Sequence, residues 1–226
     1  MENKFGFILI KPQLGENIGA SARSLKNFGF KNLIITNPKH GWPNIKAKAT
    51  SVGAFDILNK TKVLNSTISA IKNFDIIFSF SARKRDINKK HVTIRDFSKI
   101  LATYKKKRIG LMFGPEASGL SNQDLSLSNF ILQIPTANNF KSINLSHSVT
   151  LICFEIFKFL NKKLFKKEGK NIKISSKSKI NLALKHLIKL LETKDFFVPK
   201  EKKQSMILNI NNLFYRFEPN DKELRI

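Results

Sequence analysis

The chain has few residues that could cross-link it or carry it across a membrane. Its single cysteine, Cys153, excludes an internal disulfide framework and is typical of a reducing compartment. The first residues lack the long apolar segment of a secretory signal, and no run approaches the ~20 apolar residues of a membrane span. These absences predict a cytoplasmic protein without a transmembrane segment.

Acidic residues are also scarce. The chain has 16 Asp and Glu against 41 Lys and Arg, which gives a formal net charge of +25. The excess is densest near the end, where residues 158–226 carry 18 Lys and Arg against 7 Asp and Glu. Such a charge favours a polyanionic partner, and nucleic acid is the most economical choice. A membrane surface, or codon bias in an AT-rich genome, remains an alternative explanation.

Short apolar runs alternate with helical patterns along the first two-thirds of the chain. Strands buried on both faces of a parallel sheet have this pattern, and we predict them at Phe5–Ile10, Asn32–Thr36, Ile76–Phe80, Ile109–Phe113 and Asn129–Ile134. The helices between them are predicted at Asn17–Phe28, Ile45–Ala54, Ser66–Asn73 and Ser121–Leu127. The alternation predicts an α/β fold with helices on both faces of the sheet.

The last third of the chain changes character. Residues 144–160 carry a wide apolar stripe that includes Cys153, which we interpret as a core residue, packed on the sheet or on a second subunit. Lysine then dominates, and two further helices are predicted at Ile180–Leu191 and Lys202–Phe217. We therefore divide the chain into a domain at 1–160, a lysine-rich linker at 161–179 and a small helical extension at 180–226.

One arginine follows the first predicted strand at a distinctive place. Asn17 opens a helix, where it can cap free backbone N–H groups, and Gly19 lies on the same helix face as Arg23. Helical side chains lean toward the N-terminus, so the guanidinium is expected above the space that Gly19 leaves empty. The positive charge of Arg23 is therefore predicted to lie near the loop that joins the first strand to the first helix, where α/β proteins bind ligands. The alternative is a surface helix with a solvated arginine.

Two more loops follow predicted strands. The loop from Gly114 to Leu120 has Glu116 at its rim but lacks the Lys-Ser/Thr of a phosphate-binding loop. A second loop runs from Ile134 to the start of the striped helix, where Ser142 and Asn144 are good helix caps. Together with a third loop that begins at Ser81, we expect them to form one crevice at the carboxyl ends of the strands.

Taken in order, three motifs resemble those of the SpoU-type (SPOUT) RNA ribose 2′-O-methyltransferases. They are Asn17-x-Gly19-x-x-x-Arg23, the segment 113–120, and Ile134-Pro135 followed by the segment 142–146. The match spans roughly residues 5–160. The tail, with its Phe196-Phe197-Val198-Pro199 break, resembles the C-terminal extension of the TrmJ branch of this family.

The resemblance implies a fold and a cofactor that the patterns alone do not. Members of this family have an α/β sheet whose C-terminal part forms a trefoil knot, form homodimers and bind S-adenosyl-L-methionine. By position, the implied cofactor-binding residues are Phe80, Ser81, Ala82, Phe113, Gly114, Glu116, Ile134, Lys141, Ser142, Ile143 and Asn144. Lys141 departs from the small residue often found at its position.

The resemblance also implies an activity. The implied catalytic residues are Arg23, Asn17, Ser142 and Asn144, acting without a metal on a ribose in tRNA, namely C or U at nucleotide 32 of the anticodon loop. A guanidinium is a poor base, so Arg23 is expected to clamp a phosphate and stabilise the developing alkoxide. Two alternatives stay open: a methyltransferase for rRNA or another tRNA position, and a non-catalytic basic RNA-binding protein.

Overall fold

The computed structural model describes residues 4–81, 89–165 and 175–225 of the chain. The chain divides into two units, Met1–Lys166 and Lys167–Ile226. This division falls a few residues after the predicted end of the first domain at residue 160. The central part of the predicted linker lies outside the described residues.

All strands of the first unit belong to one parallel sheet with the order β3-β2-β1-β6-β4-β7-β5. The order reverses between β1 and β6, which creates a topological switch point where loops diverge and leave a crevice. The strands are β1 Phe5–Ile10, β2 Leu33–Thr36, β3 Lys62–Leu64, β4 Ile76–Phe80, β5 Lys90–Thr93, β6 Ile109–Phe113 and β7 Phe130–Gln133.

Helices cover both faces of this sheet, as expected for an all-parallel sheet. In the first unit they are α1 Gly15–Asn27, α2 Ile45–Thr50, α3 Phe55–Asn59, α4 Thr67–Ile71, α5 Ile94–Thr103, α6 Asn122–Ser126 and α7 Leu145–Leu160. A 3-10 turn at Lys162–Phe165 follows α7. The predicted α/β fold with a parallel sheet is confirmed.

The hydrophobic core consists of two clusters, one on each face of the sheet, and alternate residues of β1 belong to each cluster. Phe7 and Leu9 face the cluster that contains α1, α5 and α7, whereas Ile8 and Ile10 face the cluster that contains α4 and α6. All six residues of β1 are buried, so this strand has no polar alternation. Cys153 lies fully buried in the first cluster, and burial raises the pKa of its thiol well above the ordinary value. The prediction of a core cysteine is confirmed.

Two strands and two helices of the first unit were not predicted from the sequence, namely β3, β5, α3 and α5. Strands β3 and β5 lie at the two edges of the sheet and are short and largely exposed. Helix α5 buries Phe97 and Leu101 on the sheet. The predicted helix Ile45–Ala54 is shorter than expected, because α2 ends at Thr50 and a separate helix, α3, begins at Phe55.

Gly19 is where α1 and α2 approach each other most closely. A Cβ added at Gly19 would lie 2.1 Å from the carbonyl oxygen of Ala47 and 2.1 Å from Oγ1 of Thr50. The expectation that the guanidinium of Arg23 lies above an empty space at Gly19 is therefore wrong. The backbone of α2 occupies that space, and the glycine is required for helix packing.

Gly19→Ala is expected to lower the free energy of unfolding by about 1–3 kcal/mol, because α2 must move away from α1 to admit the methyl group. Denaturant titration of the two proteins measures this difference. The sign of the change in the free energy of unfolding tests the packing. At a helical glycine without close neighbours, replacement by alanine would raise the free energy of unfolding by about 1 kcal/mol, because alanine has the better helix propensity. A variant more stable than the wild type would contradict the packing described here.

The described part of the second unit contains two α-helices, α8 Lys177–Thr193 and α9 Lys203–Phe217. Helix α8 extends the predicted helix at both ends, whereas α9 begins one residue later than predicted and ends at the predicted residue. The hydroxyl of Tyr215 donates to Oδ1 of Asn181 at 2.7 Å, and Lys177 lies over the Tyr215 ring. These contacts join α9 to α8 within the unit.

Candidate active site at the carboxyl ends of the strands

A cavity opens at the carboxyl ends of the neighbouring strands β6, β4 and β7. Loops that follow β4, β6 and β7 supply its walls, together with the first turn of α7. The lining residues are Phe80, Ser81, Phe113, Gly114, Pro115, Glu116, Ala117, Ser118, Gly119, Leu132, Ile134, Lys141, Ser142, Ile143, Leu145 and Ser148. The prediction that three loops form one crevice is borne out for these residues.

Two aromatic rings lie at the bottom of the cavity. The rings of Phe80 and Phe113 are stacked with centroids 4.4 Å apart and planes at 8°. Both residues are nearly buried, and Leu132 and Ile134 line the cavity beside them. The apolar floor and the serine-rich rim suit a ligand with a flat ring and several polar groups.

The loop after β6 folds back on its own first residue. A Cβ at Gly114 would lie 2.2 Å from the backbone nitrogen of Leu120 and 2.3 Å from the carbonyl carbon of Gly119. Gly119 has φ +68°, and its N–H donates to the carbonyl of Pro115 at 2.8 Å. The loop itself therefore requires glycine at position 114, because a side chain there would clash with the backbone of Gly119 and Leu120.

Glu116 reaches from this loop to the start of α1. Its Oε2 accepts the N–H of Gln13 at 2.7 Å, and its Oε1 accepts the N–H of Leu14 at 3.1 Å and Nδ2 of Asn17 at 2.7 Å. These backbone donors lie at the N-terminus of α1, where free N–H groups favour a negative charge. Glu116, which lies in the loop after β6, thus caps the N-terminus of α1.

Asn17 does not cap α1, so that prediction is wrong. The helix begins two residues earlier, at Gly15, and its N-cap is Leu14. Asn17 is 6% exposed, and its side chain bonds to Glu116 and, through Oδ1, to Nδ2 of Asn144 at 3.0 Å. The side chain is therefore directed at Glu116 and Asn144 rather than at Arg23.

Asn144 is the N-cap of α7, as its position in the sequence predicts. Its Oδ1 accepts from the N–H of Ser146 at 2.9 Å, from Oγ of Ser146 at 2.8 Å and from the N–H of His147 at 3.5 Å. Ser142 lies before the helix and lines the cavity instead of capping it. The side chain of Asn144 thus joins the first and third sequence motifs.

Arg23 is exposed and lies outside the cavity lining. It lies about 120° around α1 from Asn17. Within the described part of the chain, its guanidinium makes no hydrogen bond or ion pair. The side chain is therefore free to contact a bound partner.

Most of the predicted cofactor residues line the cavity. The structure brings together Phe80, Ser81, Phe113, Gly114, Glu116, Ile134, Lys141, Ser142 and Ile143. Asn144 lies next to this set but is not part of the lining. Ala82 lies outside the described residues, as does Arg83 of the same predicted wall.

Sequence reasoning missed Gln13. Its N–H donates to Glu116, and its own Oε1 accepts the N–H of Ala117 at 3.2 Å. These two bonds fasten the loop after β1 to the loop after β6. A lone glutamine in a polar loop carries no sequence signal for this role, because the two loops are about a hundred residues apart along the chain.

Among the residues that the structure describes, no group of three or more His, Cys, Asp or Glu side chains lies close enough to hold a metal ion. None of the described helices is long and apolar enough to cross a membrane.

An all-parallel α/β sheet with a cavity at the carboxyl ends of its strands is the arrangement of an α/β enzyme that binds its ligand there. The model of the SpoU rRNA Methylase family matches residues 4–154. The chain therefore belongs to the SpoU methylase family and is an RNA 2′-O-methyltransferase of the SpoU type.

Individual relatives agree with this assignment. The tRNA (cytidine-2′-O-)-methyltransferase TrmJ of Methanocaldococcus jannaschii is 34% identical over 203 residues, which are 87% of this chain and 85% of that protein. The crystal structure of TrmJ from Z. mobilis ZM4 is 28% identical with a TM-score of 0.66, over 97% of this chain and 94% of that chain.

A more distant structure shares the fold. The SpoU methyltransferase AviRb from Streptomyces viridochromogenes, solved in complex with AdoMet, is 20% identical with a TM-score of 0.55. The likeness covers 74% of this chain and 63% of that chain.

Proposed function

We propose that this protein transfers the methyl group of S-adenosyl-L-methionine to a ribose 2′-hydroxyl of tRNA in the cytoplasm. The observation that carries the proposal is the meeting of the three motifs in one site, where Asn17, Glu116 and Asn144 are joined by hydrogen bonds. The TrmJ relatives support tRNA as the substrate, because their names specify it.

The cavity suits the cofactor by its chemistry. Phe80, Phe113 and Ile134 offer an apolar surface for a purine, and Ser81 and Ser142 offer polar groups at the rim. Lys141 is a cationic side chain at the rim that can contact a carboxylate. When bound, S-adenosyl-L-methionine supplies an electrophilic methyl group. AviRb, a structural neighbour, binds the same compound.

The residues of this chain have separate tasks in the proposed reaction. The Arg23 guanidinium, a planar fork of donors, clamps the RNA phosphate beside the target ribose and stabilises negative charge that develops on the 2′-oxygen. Ser142 and Asn144 position the ribose and the cofactor at the cavity mouth. The proton of the hydroxyl passes to water or to an RNA phosphate.

The finer features of the family are part of the same proposal. We infer a trefoil knot in the C-terminal part of the first unit and a homodimer. The outer face of α7 supports the dimer, because Leu151 and Phe154 are 42% and 38% exposed there. The residues after 160 form a lysine-rich linker and a helical extension of the TrmJ type, which hold tRNA through salt-sensitive phosphate contacts.

The target that we propose is C or U at nucleotide 32, the first nucleotide of the anticodon loop. The core motifs do not encode the target, so a ribose in rRNA or at another tRNA position is the second candidate. A basic RNA-binding protein without catalysis is the third. The cavity at the strand ends and the hydrogen bonds that join Asn17, Glu116 and Asn144 favour an enzyme over a binder.

Incubation of the protein with S-adenosyl-L-methionine and either unmodified tRNA or unmodified rRNA tests the proposal. Nucleoside mass spectrometry is expected to detect ribose-methylated cytidine or uridine in the tRNA sample. Ribose methylation confined to rRNA would contradict the proposed substrate and keep the chemistry. Absence of S-adenosyl-L-methionine binding in calorimetry would contradict the enzyme and support the RNA-binding protein.

A further inference from the structure

Three side chains of the site form a hydrogen-bond relay that can run in only one direction. The relay consists of Glu116, Asn17 and Asn144: Asn17 donates from Nδ2 to the carboxylate, and Asn144 donates from Nδ2 to Oδ1 of Asn17. A carboxylate can only accept, so the amide of Asn17 must turn its nitrogen toward Glu116. Its oxygen is then the only group that it can offer to Asn144.

The other end of the relay is fixed as well. Oδ1 of Asn144 accepts from the first N–H groups of α7 and from the Ser146 hydroxyl. If the amide of Asn144 were flipped, its NH₂ group would face these donors and its oxygen would face the oxygen of Asn17. Both ends thus enforce the same orientation. One hydrogen on Nδ2 of Asn144 is used by Asn17, and the second has no partner among the described residues.

The carboxylate that starts the relay is itself held in place. Gln13 donates its N–H to Glu116 and accepts the N–H of Ala117, so the two loops are fastened by reciprocal bonds. The N–H of Leu14 supplies a further donor to Oε1 of Glu116. Because Glu116 caps the N-terminus of α1, its negative charge is stabilised without a cationic partner.

We propose that Glu116 and Asn17 are positioning residues for methyl transfer. Through the relay they fix the Asn144 amide so that its free N–H is presented to an oxygen of the RNA ribose or of the adjoining phosphate. The inference rests on the proposed function. It assigns to Glu116 a role through Asn144, in place of the direct cofactor contact that the family resemblance implied.

An exchange of the carboxylate and the amide tests the direction of the relay. Glu116→Gln alone can keep its amide oxygen toward Asn17 and Leu14, and then only the N–H of Gln13 loses its acceptor. Asn17→Asp alone places two carboxylates 2.7 Å apart. In the double variant Glu116→Gln/Asn17→Asp, the new amide donates to the new carboxylate, which still accepts from Asn144. Total charge is unchanged, and only the N–H of Leu14 loses an acceptor.

Asn17→Asp is expected to lower kcat for tRNA methylation by about 10–100-fold, because a displaced positioning group costs this much, and Glu116→Gln is expected to lower it less, because its amide oxygen can still accept from Asn17. The KM for tRNA and the Kd for S-adenosyl-L-methionine should stay within about threefold of the wild type. The double variant is expected to recover to within about tenfold of the wild-type kcat. Losses that multiply in the double variant would overturn the relay.

Thermal unfolding of the same four proteins separates this inference from the proposed function. The relay predicts that Asn17→Asp lowers Tm by about 3–8 °C and that the double variant loses less than Asn17→Asp. Additive Tm losses would overturn the relay even if the wild type methylated no RNA at all. Recovery of Tm in the double variant, with kcat unaffected in the single variants, would overturn the positioning role.

Asp56→Asn is a matched control for the change of carboxylate to amide. Asp56 forms a half-exposed ion pair with Lys26 at 2.7 Å, on the same unit and away from the cavity lining. Exposed ion pairs contribute little to stability. Its kcat and Tm should therefore match those of the wild type, and a loss equal to that of Glu116→Gln would show that the relay variants act by unspecific destabilisation.

Discussion

Arg23→Ala is expected to lower the rate of methyl transfer to tRNA by about 10²–10³-fold. The variant removes a fixed positive charge that we assign to the RNA phosphate and the developing alkoxide, and groups of this kind contribute an effect of that size. Arg23 is exposed and outside the cavity lining, so binding of S-adenosyl-L-methionine should change by less than about threefold. Single-turnover methylation and calorimetry measure the two quantities.

Two further variants sharpen this prediction. Arg23→Lys keeps the charge but loses the planar fork of donors, so its rate is expected between those of the wild type and Arg23→Ala. Lys26→Ala removes a cation from the same helix at a surface ion pair with Asp56 and should leave the rate unchanged. Equal rates for the wild type and Arg23→Ala would remove Arg23 from the mechanism.

Gly114→Ala is expected to weaken binding of S-adenosyl-L-methionine by about 100-fold. The added methyl group would lie 2.2 Å from the backbone nitrogen of Leu120, so the loop that forms one wall of the cavity must move. Such overpacking costs about 1–3 kcal/mol, and the upper value corresponds to the expected loss. Isothermal titration calorimetry of both proteins measures the change.

Gly53→Ala separates the packing effect from the backbone effect. Gly53 has φ +77°, so alanine is strained there, but an added Cβ meets nothing within 4 Å. This variant should be slightly less stable and should bind S-adenosyl-L-methionine as the wild type does. Wild-type affinity in Gly114→Ala would contradict the assignment of this cavity to the cofactor.

The fold could be predicted where burial dictates the sequence. Strands β1, β4 and β6 are buried on both faces, so each is an uninterrupted apolar run and each was predicted with its observed bounds. Strands β3 and β5 form the sheet edges, where exposed residues such as Lys62 and His91 break the apolar pattern. Helix α5 did carry a signal, because Ile94, Phe97 and Leu101 recur at helical spacing.

The site could be predicted only as far as its parts lie close together in sequence. The motifs identified the cavity loops, and the position of Asn144 predicted its role as a helix cap. The contacts of Asn17 with Glu116 and of Gln13 with Ala117 join segments about a hundred residues apart. No local rule gives such pairings, and the same holds for the α2 backbone that fills the space at Gly19.

A tRNA with a single 2′-deoxynucleotide at position 32 tests the central claim most directly. The substitution removes the acceptor hydroxyl at that position and leaves the anticodon loop otherwise unchanged. With S-adenosyl-L-methionine present, we predict that unmodified tRNA gains one ribose methyl group at nucleotide 32 and that the deoxy-substituted tRNA gains none. Equal methylation of the two tRNAs would contradict the proposed target.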